Sequence, residues 1–317
     1  MRLELYAMPL PPSRQGPWLA LLRSAGLRDD GDCEWTALAL DEQDGLAGCG
    51  SLRGGVLKQL AVADAARGEG VGSQLVSALA GKAAELGRTR LFVYTKPENG
   101  AMFRSLGFYP VARTPEVLML ENRRDGLARF LAPLPQADGC VVMNANPFTR
   151  GHQYLVGRAA AACGRVLVFV LSREQPPFPA AARLALVRAG CAGFSNVTVA
   201  SGDEYLISDA TFPGYFLKDP DRAYTALDLT LFAEKIAPAL GIVRRFVGEE
   251  PFCPVTAAYN EAMRRLLPPR GIAVTELPRF ENIRAGEVRR LLAAGDWEAV
   301  RQLVPETTYE YCRNHAF

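Results

Sequence analysis

Between Arg129 and Gly139 the rhythm of apolar positions changes. Upstream, short apolar runs bounded by turn residues predict extended segments at Glu34–Leu40, Gly45–Leu52 and Val56–Val62. A helical stretch over Gly72–Leu86 follows, then a strand at Thr89–Tyr94, a short helix at Gly100–Leu106 and another extended stretch. Strands followed by helices with little strict alternation predict an α+β unit. In "RFLAPLPQADG", Arg129 to Gly139, prolines interrupt the pattern and mark a boundary.

Downstream, strand and helix alternate regularly. Gly139–Met143 reads as an apolar strand leading into a helix from about His152 to Cys163. Arg165–Leu171, "RVLVFVL", is a continuous apolar run of the kind that fills a parallel sheet covered on both faces. A helix at Ala180–Ala192, a strand at Asn196–Ala200, a helix at Ala223–Leu240 and a strand at Arg244–Val247 come next. Val255–Leu267, Ile272–Glu276 and Gly286–Ala294 complete the pattern. The expectation is an α+β domain over residues 1–133, then a doubly wound, Rossmann-like α/β domain over 134–317. Ligands of such a domain bind beyond the carboxyl ends of its strands.

Composition narrows the class. The 317 residues fit two domains. Lys and Arg number 36 against 34 Asp and Glu, with no long basic run, so the footprint of a nucleic-acid binder is missing. No apolar run is long enough to cross a bilayer, and no membrane partner is expected. "MRLELYAMPLPP" is too briefly apolar, and meets proline too early, for a signal peptide. The seven scattered cysteines form no C-x-x-C pair, and His152 and His315 alone cannot build a multi-histidine metal site. A reduced, cytoplasmic chain without a dedicated metal site follows.

In the first half, Arg67-Gly68-Glu69-Gly70-Val71-Gly72 lies between a strand and a helix, where consecutive amides bind phosphate. A plain strand-to-helix turn is the alternative. With "LFVYTKPENGAMFRSLGFYPV" downstream, the loop resembles that of the GNAT acetyltransferase family. The resemblance implies that Arg67 and the amides around Gly68, Gly70 and Gly72 hold the phosphates of a coenzyme-A-like, pantetheine-type arm. Many members carry a tyrosine four residues before the glycine matched by Gly107, which protonates the departing thiolate. Phe103 stands there and has no proton to give; Tyr94 and Tyr109 lack the spacing. The domain is therefore expected to dock a thiol rather than expel one.

In the second half, "NPFTRGHQYL" resembles the T/H-x-G-H signature of the nucleotidyltransferase superfamily. Attack on the α-phosphorus of ATP builds charge on phosphate oxygens, which fixed donors stabilise. The resemblance implies that Thr149 offers its hydroxyl, Gly151 leaves room for nucleotide, and His152 donates to phosphate at the positive end of a helix. Asn144, Asn146 and Phe148 are assigned to the nucleotide side, the two asparagines within reach of nucleotide or acetate. The alternative is a Thr149 helix cap with an incidental histidine.

Three further stretches, "GDEYLISDATFPGYFLKDPD", "RFVGEEPFCPVTAAYNEAM" and "NIRAGEVRRLL", resemble the citrate lyase ligase family. That family joins a GNAT-like region to a nucleotidyltransferase domain. The resemblance implies that ATP and acetate form acetyl-adenylate, with Mg²⁺ bridging the phosphates. The acetyl group then passes to the thiol of a dephospho-coenzyme-A-type prosthetic group on the acyl carrier subunit of citrate lyase. Gly248, Glu250 and Arg284 are assigned to ATP, and Arg289 and Lys218 join His152 and Thr149 as catalytic residues. The family's second nucleotide motif reads roughly Ile-Ser-x-Ser-x-Val-Arg; Arg284 and Gly286 replace both serines, and Arg289 survives.

Each assignment has a plainer alternative. Lys218 and the Arg289-Arg290 pair could face solvent, as could Glu249-Glu250. Cys253 reads as a packing residue and His315 as a surface one. Alternative functions are the equivalent ligase for malonate decarboxylase, a GNAT acetyltransferase using acetyl-coenzyme A with a degenerate second domain, and a nucleotidyltransferase that makes a dinucleotide cofactor.

Overall fold

The computed structural model describes residues 1–207 and 212–315. The chain divides into two compact units, Met1–Gly126 with Phe212–Leu227, and Leu127–Thr211 with Asp228–Phe317. Residues 208–211, inside the "SDATFPG" stretch, lie outside the described residues.

The first unit is built on a seven-stranded sheet. Its strands are β1 (Arg2–Ala7), β2 (Trp35–Leu40), β3 (Leu46–Arg53), β4 (Val56–Val62), β5 (Phe92–Thr95), β6 (Tyr109–Arg113) and β7 (Leu118–Glu121), in the order β1-β2-β3-β4-β5-β7-β6. All neighbours pair antiparallel except β4 and β5, which run parallel and pair only at Val56–Phe92 and Leu57–Val93. Just beyond that contact β4 carries a bulge: its register against β3 shifts between Cys49 and Ser51, and Gln59 takes φ 53°. A bulge bends its strand and ends pairing locally. The carboxyl-terminal parts of β4 and β5 are thus left unpaired with each other.

Alternation along β2 directs Ala37 and Ala39 to one face of the sheet and Leu38 to the other. The helix Val71–Glu85 covers the first face with Val71, Leu75, Val76, Leu79 and Ala83, a single helical stripe. Helix Pro12–Ser24 covers the second with Trp18 and Leu22. Neither this helix nor β1 was expected. Its apolar residues run contiguously from Trp18 to Leu22 behind Gly16 and Pro17, which hides the stripe. Edge strand β1 leaves Leu3 and Leu5 exposed, so it shows no buried alternation.

The second unit holds a five-stranded, wholly parallel sheet. Its strands are β8 (Gly139–Met143), β9 (Val166–Val170), β10 (Val197–Ser201), β11 (Arg244–Gly248) and β12 (Ala273–Leu277), ordered β10-β9-β8-β11-β12. Every residue of β9 is buried, as its unbroken apolar run requires. The order reverses direction at β8, with β9 on one side and β11 on the other, which makes the carboxyl ends of β8 and β11 the switch point. The helix expected over Ala223–Leu240 begins at Pro220 and is broken by a π-helical turn at Phe232–Ile236. Two closing helices, Trp297–Leu303 and Glu306–Asn314, were not expected. Among the described residues no helix is long and apolar enough to cross a membrane.

Candidate functional site

A cavity of about 770 Å³ opens at the switch point of the second unit. Its first wall is the loop from β8 to the helix Arg150–Ala162, capped by Thr149. The cap is reciprocal. His152 N–H donates to Thr149 Oγ1 at 3.3 Å, Thr149 N–H donates to His152 Nδ1 at 3.1 Å, and Oγ1 lies 2.9 Å from the same Nδ1. A ring nitrogen that accepts from a backbone N–H carries no proton, so the neutral imidazole holds its proton on Nε2. The ring edge reaches the cavity but protein surrounds the rest, and this burial, then the charge of Arg279, pushes its pKa down from 6.5 to about 4. At neutral pH, His152 is a neutral Nε2–H donor. Thr149 is only 2 % exposed and its hydroxyl is engaged in the cap. Its geometric role is to orient His152, where the sequence suggested a hydroxyl offered to phosphate.

The two asparagines line the cavity but are tied down by protein. Asn144 Nδ2 donates to Gln175 at 2.6 Å, while Arg183 donates to its Oδ1 at 2.6 Å and its backbone carbonyl at 2.7 Å. Asn146 Nδ2 donates to the Pro176 carbonyl at 3.1 Å, and its own carbonyl accepts from Arg289. Asn146 Oδ1 is buried and has no partner among the described residues. Arg183, fully buried, also donates to the carbonyls of Phe178 and Arg173 and so clamps the segment opposite the loop. Sequence reasoning missed it, because an arginine in a helix reads as surface. The available signal was its place on the stripe Arg183, Leu186, Val187, Gly190, the buried face of the helix Ala180–Cys191.

The facing wall comes from the ends of β11 and β12 and from the helix Ala285–Ala294. Gly248 ends β11, and a side chain there would meet nothing within 4 Å. At Gly151 a Cβ would come no closer than 3.5 Å to any protein atom. Both positions line the cavity, so the room they leave belongs to the cavity. Glu250 is paired with Arg279 at 2.7 Å, and its Oε1 accepts from the N–H groups of Phe252 and Cys253 at 3.1 and 3.3 Å. Arg284 is the N-cap residue of the helix Ala285–Ala294 and lies over the Phe252 ring at 4.7 Å. Arg289 and Gly286 stand beside it on the wall. Arg279 was not picked from the sequence, although it follows the carboxyl end of a parallel strand, where ligand-binding residues gather.

The readings of Phe148 and Cys253 are corrected. Phe148 does not line the cavity: it is fully buried, stacked on His152 at 5.8 Å and pressed against Gly190, whose missing Cβ would lie 2.3 Å from its ring. An apolar ring at that depth serves packing. Lys218 is exposed and lies in the Phe212–Leu227 segment counted with the first unit. Cys253 is exposed at the cavity rim instead of packed, and hydrogen bonding with Thr256 holds its thiol below the usual range. His315 is exposed, stacked on Tyr311 at 3.9 Å.

The first unit has its own cavity of about 670 Å³, at the unpaired ends of β4 and β5. Arg67, Gly68, Gly70 and Gly72 line it, and Gly70 caps the helix Val71–Glu85. Gly68 and Gly70 take φ of 86° and 77°, a region costly for other residues. Arg67 is exposed and pairs with Asp64 at 2.7 Å. Phe103 lines the cavity as a buried ring, edge-on to Phe108 at 6.1 Å. Tyr94 also lines it, buried against Phe212 at 5.6 Å, whereas Tyr109 is exposed.

These features define a class. Residues 33–110 match the acetyltransferase (GNAT) domain, and residues 138–312 match the citrate lyase ligase C-terminal domain. The chain is thus a GNAT-fold unit joined to an α/β ligase unit. It is 41% identical to a citrate (pro-3S)-lyase ligase of Klebsiella pneumoniae, over 92% of this chain and 90% of that one. Identity to the ligase of the same name from Escherichia coli K12 is 40%, over 87% and 84% of the two chains. A Haemophilus influenzae ligase of that name is 39% identical, over 92% of each. The chain belongs to the citrate lyase ligase family, enzymes whose reaction depends on a nucleotide.

Proposed function

We propose that the chain uses ATP to activate acetate and acetylates the thiol of the dephospho-coenzyme-A-type arm on the citrate lyase acyl carrier subunit. A carboxylate oxygen of acetate attacks the α-phosphorus, and the bond to the pyrophosphate oxygen breaks. The thiol sulfur then attacks the acetyl carbonyl, the bond to AMP breaks, and the thiol proton is released to water.

The observation that carries this reading is the tautomer of His152. Its Nδ1 is held by the Thr149 backbone, so a neutral Nε2–H stands in the cavity with Arg284 and Arg289 and the amino ends of two helices. Such donors, fixed before the reaction, suit charge growing on phosphate oxygens. Among the described residues, the acid and thiol groups close enough for a cation are Asp30, Asp32 and Cys33 in the first unit, where Lys58 already pairs with both carboxylates. Mg²⁺ would therefore arrive on the nucleotide and supply charge neutralisation there. The glycine loop around Gly68, Gly70 and Gly72 is assigned the phosphates of the carrier's arm, a role that fits an amide-rich helix start facing a cavity.

Acetate-dependent exchange of pyrophosphate into ATP tests the first step. His152→Ala should lower it about 100-fold, the usual cost of one fixed donor. Exchange that proceeds without acetate would overturn the reading. Comparing purified carriers of citrate lyase and malonate decarboxylase as acetyl acceptors then tests the partner.

A further inference from the structure

The Arg279 guanidinium shares its cavity with His152, Gly286 and Arg289. One nitrogen pairs with Glu250 at 2.7 Å, the two side chains being 14% and 21% exposed. Another donates to the Ile283 carbonyl at 3.2 Å, and the buried Nε–H has no partner among the described residues. Glu250 is held independently, since its Oε1 accepts from two backbone N–H groups of the loop after β11. The Phe252 ring, largely exposed, faces Arg279 at 5.3 Å and Arg284 at 4.7 Å. Two like charges gather on one ring, and among the described residues a carboxylate pairs with only one of them. Arg279, Arg284, Arg289 and Arg290 line the cavity with Glu249, Glu250 and Glu287; among the described residues Arg279 pairs with Glu250 and Arg290 with Glu287, while Arg284 and Arg289 make no ion pair.

We propose that Glu250 acts as a stand-in anion, holding Arg279 while the site is empty and yielding it to the pyrophosphate portion of the nucleotide. This rests on the nucleotide-dependent reading above. A mostly buried guanidinium needs a counter-charge, and Glu250 supplies it. A phosphate offers more charge and a bidentate edge, so it competes well against one carboxylate oxygen. Because the loop amides keep Glu250 in place, its carboxylate waits for Arg279 to return. That competition favours release of pyrophosphate once the first bond has broken.

The test measures binding of inorganic pyrophosphate to the full chain by calorimetry, together with its KM in the exchange reaction. Arg279→Met should raise the Kd and the KM about tenfold or more, as loss of a charge-assisted bond does. Glu250→Gln keeps an acceptor for the two loop amides but removes the competing charge, so both values should fall, by about threefold. A misfolded variant cannot produce tighter binding, which guards the experiment. Weaker binding in Glu250→Gln would overturn the proposal, as would unchanged binding in Arg279→Met. Absence of acetate-dependent exchange in the wild type would instead sink the functional reading. Wild-type exchange with both variants unaltered sinks only the stand-in role.

Discussion

Acidification tests the placement of His152. The folded ring has a pKa of about 4 against 6.5 for a free imidazole, because burial and Arg279 oppose its charged form. As pH falls, the unfolded chain therefore takes up a proton first, and the folded state loses stability from about 6.5 downward, levelling below about 4. Relative to neutral pH, the loss from this one group is about 2 kcal/mol at pH ~5 and about 3 kcal/mol at pH ~4. His152→Asn lacks the titrating group, so the difference between the two proteins isolates the effect. Hydrogen exchange at the amides of the helix Arg150–Ala162 reads opening of this unit directly. Nitrogen NMR adds a second check, since His315 supplies the only other imidazole signal. Nδ1 of His152 should remain unprotonated, and Nε2 protonated, through pH ~5. A ring that titrates at 6.5 or above, or that carries its proton on Nδ1, would refute the capping argument.

Two substitutions probe the cavity and its support. In Gly151→Ala the new Cβ meets no protein atom closer than 3.5 Å, so thermal stability should hold within about 1 kcal/mol while KM for ATP rises about tenfold. An unchanged KM would show that the space is not used by nucleotide. Arg183→Met strips donors from Asn144, Phe178 and Arg173 and should cost about 3 kcal/mol in urea unfolding of the second unit. Wild-type stability in that variant would remove Arg183 as the clamp of the loop.

Much of the fold was legible because its determinants are local. The run Arg165–Leu171 announced a strand buried on both faces, and β9 is one. Met143 followed by Asn144, Ala145, Asn146 and Pro147 announced a strand end, and β8 stops at Met143. Where local signals conflicted, the reading failed. Trp18 to Leu22 offered no helical stripe, yet helix Pro12–Ser24 forms because Trp18 and Leu22 bury against Leu38, Cys49 and Ala61. Gly151, His152, Gly248, Glu250, Arg284 and Arg289, picked from the sequence on strand ends and the helix starts that follow them, all line one cavity. Phe148 sits in the same loop but points into the core, a difference that turns on Gly190, a residue 42 positions away in the chain (190 − 148).

The sequence by itself determined most of the elements from β2 to the helix Ala285–Ala294, the position of the β8 loop and the family, because periodicity, turn residues and motif spacing are properties of neighbouring residues. Only the tertiary structure decided which polar groups meet. It assigned Arg183 to Asn144 across 39 positions and linked Arg289 to Asn146 across 143. It also tied Arg28 to the Gly214 carbonyl across 186, counting the Phe212–Leu227 segment with the first unit. The proton position on His152 joins both levels. Thr149 and His152 are three residues apart, so the cap that selects the tautomer is local. The low pKa is not, because it needs the burial and the Arg279 charge that folding brings to the ring.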